Sequence, residues 1–109
     1  MLKIKEGTCF LGKTLDIEHK DVCLSVTLDV GPRIISLSRK GSKDIMFHDL
    51  KDEVHKETGH IYGGDKVWHL YGGHRIWVSP EDESTYYPDN YPVAYVVKDN
   101  VITFTPKVW

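Results

Sequence analysis

The clearest pattern in the chain is a strict alternation of apolar and polar residues in its first third. The apolar positions are Val22, Leu24, Val26, Leu28 and Val30, and smaller or polar residues separate them. A period of two places the five apolar side chains on one face of a strand and the polar side chains on the other. The pattern therefore predicts a half-buried β-strand over residues 22–30.

Further strands are predicted on both sides of short turns. Gly31-Pro32 predicts a bend, because proline lacks the amide hydrogen that a central ladder needs. Residues 33–39 then read as a second strand and 44–48 as a short third strand, with a turn at 40–43 between them. Residues 49–60 are almost entirely polar, which favours a surface excursion.

The second half of the chain predicts more strands and no amphipathic helix. Residues 74–79 alternate again, 81–92 form a long loop, and 94–98 with 101–105 predict a hairpin around Asp99-Asn100. Strands thus dominate, so we expect a mostly β fold, an antiparallel β-sandwich. Residues 1–109 form a single β domain on this interpretation.

Composition narrows the class of function. The 109 residues carry 14 Lys and Arg against 16 Asp and Glu, a formal charge of −2, which argues against a dedicated nucleic-acid binder. The chain has no apolar run of about 18 residues or more, and its N-terminus lacks a secretion signal, so we expect a cytoplasmic protein without a membrane partner. Cys9 and Cys23 are expected to be reduced thiols.

Polar and aromatic residues are densest between Trp68 and Tyr91. Alternation places Arg75 and Trp77 on one face, and a flat ring beside a multi-donor guanidinium suits a sugar. Glu81, His74 and His69 are the residues of this segment that could move protons.

Other interpretations of the same segment stay open. Trp68 and Trp77 can fill a core, Arg75 can pair with Glu81 or Asp82, and the tyrosines can hold a long loop together. A zinc site of His60, His69 and His74 is a further alternative. His69 and His74 would converge only if Gly72-Gly73 breaks the strand, so we predict no metal site.

Three stretches resemble the galactose mutarotase-like (aldose 1-epimerase-like) superfamily, in an uncharacterised bacterial branch. The similarity runs from about Val22 to Thr105 and is carried by residues 29–37 (Asp-Val-Gly-Pro-Arg-Ile-Ile-Ser-Leu), 72–81 (Gly-Gly-His-Arg-Ile-Trp-Val-Ser-Pro-Glu) and 85–93 (Thr-Tyr-Tyr-Pro-Asp-Asn-Tyr-Pro-Val). The resemblance implies a β-supersandwich that binds an aldose in a groove.

The resemblance also implies roles for individual residues. In the family a Glu removes the anomeric hydroxyl proton and a His protonates the ring oxygen, without a cofactor. Arg75 resembles the substrate-binding arginine. His74 and Glu81 are the catalytic candidates, and the substrate-binding candidates beside Arg75 are Trp77, Tyr86 and Asn90.

The chain is similar only to the N-terminal part of the longer family domain, because the family's catalytic Glu and principal acid His lie further downstream. We therefore expect sugar binding with epimerase activity absent or residual. The alternatives are an active epimerase completed by a partner copy, and a non-catalytic structural or interaction module. Such a module would pair with another copy or chain through an exposed edge strand.

Overall fold

The computed structural model describes residues 2–76, 81 and 83–106 of the chain. It is mostly β, as predicted, and its sheets are antiparallel. The longest helix among these residues has four residues, far short of what would cross a membrane. The elements are β1 (Lys3–Cys9), β2 (Gly12–His19), β3 (Val22–Thr27), β4 (Ile34–Arg39), β5 (His55–Glu57), α1 (Gly59–Tyr62), β6 (Val67–His69), β7 (Ala94–Lys98) and β8 (Val101–Thr105).

A four-stranded sheet in the order β1-β2-β3-β4 forms the larger part of the fold. Directly opposite residues share a face, so Leu15 lies beside Val26 and Ile17 beside Leu24 on its apolar side. On the opposite side, Asp16 accepts hydrogen bonds from polar neighbours that include the Ser25 hydroxyl, at 2.8 Å. Successive side chains of β3 point to opposite sides of the sheet, as predicted, but their burial increases along the strand, from the exposed Val22 to the buried Val26 and Thr27.

The predicted strand over residues 22–30 ends earlier, at Thr27. The Thr27 hydroxyl donates to the Val30 carbonyl at 2.7 Å and accepts from the Arg33 amide at 2.9 Å. These bonds close the loop between β3 and β4. Leu28 still donates a backbone hydrogen bond to the Lys13 carbonyl at 2.9 Å, and the chain bends from there to the Gly31-Pro32 peptide. A bend at Gly31-Pro32, a cis peptide, is confirmed.

One other expectation about this half of the chain was wrong. Residues 44–48 contain no strand beyond an isolated bridge at His48, because the Asp44 carboxylate accepts the Leu37 and Met46 amides and turns the chain. Residues 49–60 lie mostly at the surface, as predicted, but Asp49 and Thr58 are buried. Asp49 is buried, its carboxylate accepts two backbone amides, and β5 follows it.

β1 and β2 were not predicted at all. β1 contains a single large aliphatic residue, Ile4, among lysines, Glu6 and small residues, so it has no apolar period of two to detect. Its register against β2 is nevertheless continuous from Lys3 to Cys9. Pairing with a neighbouring strand, a tertiary property, stabilises this strand.

Gly72 and Gly73 place the following residues against the sheet. Both have positive φ, and Gly73 lies against the Ile34 backbone. His74 and Ile34 exchange two backbone hydrogen bonds of 2.9 Å just beyond it. The sequence predicted a strand at 74–79. In the described part of this range the structure has a single β-bridge, from His74 to Ile34 of β4. Residues 77–79 lie outside the described part.

The hairpin of β7 and β8 has the bounds that the sequence predicted. Its inward face carries Tyr95, Phe104 and Ile102, and the Tyr95 hydroxyl donates to Glu6 at 2.8 Å. Among the described strands, β7 and β8 pair only with each other. The hairpin thus forms a separate two-stranded sheet, joined to β1 through the Tyr95–Glu6 hydrogen bond.

Replacing Gly73 by alanine tests the close approach of residues 72–74 to β4. A methyl group at Gly73 would overlap the Ile34 carbonyl, whereas Gly41, which also has positive φ, has nothing within 4 Å. We expect Gly73→Ala to lower the free energy of unfolding by about 3 kcal/mol or more, and Gly41→Ala by about 1 kcal/mol. Urea unfolding measures both, and equal losses would show that the approach is not tight.

Candidate functional site

A cavity of about 1160 Å³ lies between the apolar side of the larger sheet and the β7–β8 hairpin. Ligand cavities commonly measure about 300–1,000 Å³, so this one has room for a small organic molecule. Most of its polar lining residues gather where β4 begins, beside the Gly31-Pro32 bend. They are Arg33, His74, Arg75, Thr85, Tyr87 and Asp89, and two further polar residues, Asn100 and Thr103, line it from the hairpin.

Arg75 is a charged group at the cavity with few described partners. One terminal nitrogen of its guanidinium donates to the Thr85 carbonyl at 2.8 Å. No described carboxylate lies within ion-pair distance of it. Burial lowers the pKa of Arg75, and the positive charge of Arg33 lowers it further. Arg75 is therefore a half-buried cation that can donate to a ligand.

Arg33 is committed to the protein instead. Its side chain is 2% exposed, and one terminal nitrogen bonds both the Asp89 carboxylate and the His69 carbonyl at 3.2 Å. Its Nε atom is buried and has no hydrogen-bond partner within the described residues. Arg33 and Asp89 thus form a neutral ion pair beside the Gly31-Pro32 bend. This part of the cavity, where most of its polar lining residues lie, is its polar end.

Trp68 belongs to the core. It is 4% exposed, the Arg75 guanidinium lies 5.6 Å from its ring, and the Tyr86 ring meets it edge-on at 4.9 Å. A buried ring cannot cover a sugar face, so Trp68 has the core-filling role that the sequence left open. The Trp68 ring also packs against the Arg75 guanidinium.

Glu81 and Tyr86 contact each other rather than Arg75. The Tyr86 hydroxyl donates to the Glu81 carboxylate, and this hydrogen bond raises the pKa of Tyr86. Neither residue is among those that line the cavity. The ion pair suggested between Arg75 and Glu81 is therefore not formed, and Asp82 lies outside the described residues.

Asn90 has a structural position. Its amide donates to the Val67 carbonyl at 2.7 Å, and its carbonyl oxygen accepts the Tyr71 hydroxyl. These bonds fasten the 86–92 loop to β6, away from the cavity lining. Trp77, the other predicted sugar contact, lies outside the described residues. Of the six predicted site residues, the structure places His74 and Arg75 at the cavity.

The three histidines of the zinc alternative do not come together. His60 pairs with Glu83, His69 pairs with Asp52 at 2.7 Å, and His74 lies at the cavity. Within residues 2–76, 81 and 83–106, no group of three or more metal-ligating side chains is placed to hold an ion.

Sequence reasoning missed several residues of the cavity. Thr85, Tyr87 and Asp89 stood in a loop with no period, and the hairpin residues were predicted only as strands. One sequence feature could have indicated an ion pair. Arg33 directly follows the Gly-Pro bend, and an arginine that becomes buried needs a carboxylate partner. The identity of that partner, Asp89, could not be found from spacing.

Comparisons with known proteins found no match. No protein-family model matches the chain, and no curated protein and no solved structure matches it either. The fold and geometry therefore define an antiparallel β protein with a cavity. Membership of the galactose mutarotase-like superfamily stays a prediction from the sequence motifs.

The titration of Tyr71 tests the packing beside the polar end. Burial raises the pKa of Tyr71 from its ordinary value of 10 to about 12, and the negative charge of Asp89 acts in the same direction. A proton held more tightly in the folded state stabilises that state below pH 10, and the stabilisation is lost as the pH rises towards 12.

We therefore expect the free energy of unfolding to fall between pH 10 and 12, and to fall less in Tyr71→Phe. Urea unfolding across this range measures both proteins. Parallel curves would contradict the assignment, because other tyrosines would then account for the whole decrease.

Proposed function

We propose that this domain binds a carbohydrate at the polar end of the cavity. The observation that carries the proposal is the half-buried Arg75 guanidinium, which borders the cavity beside His74 with a single described hydrogen bond. Thr85, Tyr87 and Asp89 add hydroxyl, aromatic and carboxylate groups around it. Mixed donors and acceptors next to an aromatic ring suit the hydroxyls and C–H face of a sugar.

Binding without efficient anomer exchange is the form of the function that the geometry favours. General acid and base groups must both lie within hydrogen-bond reach of the reacting sugar. His74 lines the cavity, but Glu81 does not, and it is bonded to Tyr86. We propose a cytoplasmic sugar-binding domain of mutarotase-like sandwich architecture, in which the catalytic base of the family has no described counterpart at the cavity.

Arg75→Ala is the direct test of sugar binding. Losing charged hydrogen bonds to the ligand is expected to weaken binding about tenfold or more. Ligand-observed NMR with a panel of aldoses measures both line broadening and the rate of exchange between α and β anomers. We expect broadening by the wild-type protein and exchange no faster than in buffer.

Arg39→Ala is the matched control, because Arg39 is an exposed arginine at the far end of β4. It should leave binding unchanged. If Arg75→Ala and Arg39→Ala bind sugar equally, Arg75 is not the contact. If no aldose broadens, the carbohydrate proposal fails.

Pairing with a second copy is the alternative function, and the isolated hairpin favours it. Among the described strands, β7 and β8 form a sheet of their own, and the apolar Val96 and Val101 are exposed on it. Unpaired strand edges of this kind readily pair with another chain.

A defined dimer at micromolar concentration is the expected result for this alternative, measured by sedimentation velocity. Val96→Lys should shift it to monomer, because lysine on a strand edge opposes pairing. Val22→Lys, at an exposed valine on β3, is the control and should not change the oligomeric state. A wild-type monomer at high concentration would contradict the pairing.

A further inference from the structure

The cavity extends well beyond the polar groups that would hold a sugar. From the sheet, Val26 and then Ile17 and Leu24 line it, and Ile102 and Phe104 of the hairpin line it from the other side. In the register of β2 and β3, the pair of Ile17 and Leu24 lies two residues further along the strands than the pair of Leu15 and Val26. Two residues of strand span about 7 Å, so the apolar part is long enough for a short alkyl chain or an aromatic ring.

Charge divides the cavity into two unlike ends. Arg33, Arg75 and Asp89 are the charged members of the described lining, apart from the titratable His74, and all of them lie near the bend. Beyond Val26 the lining is mainly aliphatic or aromatic, and the uncharged polar residues Asn100 and Thr103 of the hairpin are also part of it. A ligand that fills the whole cavity therefore needs one polar end and one largely apolar end.

The polar end presents both hydrogen-bond donors and acceptors to a ligand. The Asp89 carboxylate forms a neutral pair with Arg33 at 3.2 Å and borders the cavity as an acceptor, while Arg75 supplies guanidinium donors. A ligand carboxylate can only accept hydrogen bonds. A hydroxyl group can use both kinds of partner, since it can donate to a carboxylate or carbonyl oxygen and accept from a guanidinium.

We infer that the ligand is a sugar carrying an apolar aglycone, a neutral glycoside whose sugar lies at Arg75 and whose aglycone lies between the sheet and the hairpin. This inference rests on the proposed carbohydrate binding and names its ligand class. The aglycone adds affinity by removing apolar surface from water, while the hydroxyls fix the orientation of the sugar.

Matched glycosides test the inference on the wild-type protein. Isothermal titration or ligand-observed NMR compares methyl with n-hexyl β-glucosides and β-galactosides, the hexyl compounds below their aggregation concentration. Sodium hexanoate carries a chain of the same length with a charged head. We expect a hexyl glycoside to bind about tenfold or more tightly than its methyl partner, and hexanoate to bind more weakly than the hexyl glycoside.

Two hairpin variants locate the aglycone. Ile102→Trp narrows the cavity, whereas Val101→Trp changes the neighbouring residue, which is exposed and does not line it. We expect Ile102→Trp to reduce the advantage of the hexyl chain to about threefold or less and to leave methyl glycoside binding nearly unchanged. Val101→Trp should retain the full advantage. The comparison of ligands remains decisive if Ile102→Trp does not fold.

The outcomes separate the two proposals. Equal binding of methyl and hexyl glycosides overturns the aglycone site and leaves sugar binding in place. A hexyl advantage that Ile102→Trp and Val101→Trp reduce equally also overturns it. Hexanoate binding as tightly as the hexyl glycoside, with no binding of methyl glycosides, overturns the carbohydrate proposal itself.

Discussion

The buried ion pair between Arg33 and Asp89 is the interaction on which the site depends. It ties the bend after β3 to the 86–92 loop, and the same guanidinium nitrogen also bonds the His69 carbonyl of β6. The Gly31 amide adds a second link, donating to the Asp89 carbonyl at 2.7 Å. Removing one partner of such a pair typically costs about 3–5 kcal/mol, because the other charge stays buried and unpaired.

Because of the Arg33–Asp89 pair, the two arginines at the cavity have different roles. Since Asp89 neutralises Arg33, that charge organises the protein and is not available to a ligand. Arg75 borders the same cavity but has the Thr85 carbonyl and the Trp68 ring as its described partners. Its guanidinium is held in place by neutral groups, so its charge and its remaining donors can act on a bound molecule.

The larger sheet and the hairpin produce the second half of the site. Apolar residues of both line one cavity, which is open to solvent on part of its surface. Tyr95 of the hairpin and Glu6 of β1 form one hydrogen bond between them. A cavity with charged groups at one end and mainly apolar walls beyond is the feature that links the proposed sugar to its proposed aglycone.

Local elements in which one face is apolar and the other polar are encoded in the spacing of residues along the chain. The alternation around Leu24 and the hairpin at Asp99-Asn100 are local patterns, and both were predicted correctly in type. Tertiary structure alone decided which distant groups meet. Arg33 and Asp89 are 56 residues apart, and β1 has no periodic signal of its own. Burial and long-range pairing fix such contacts, and neither leaves a regular spacing in the chain.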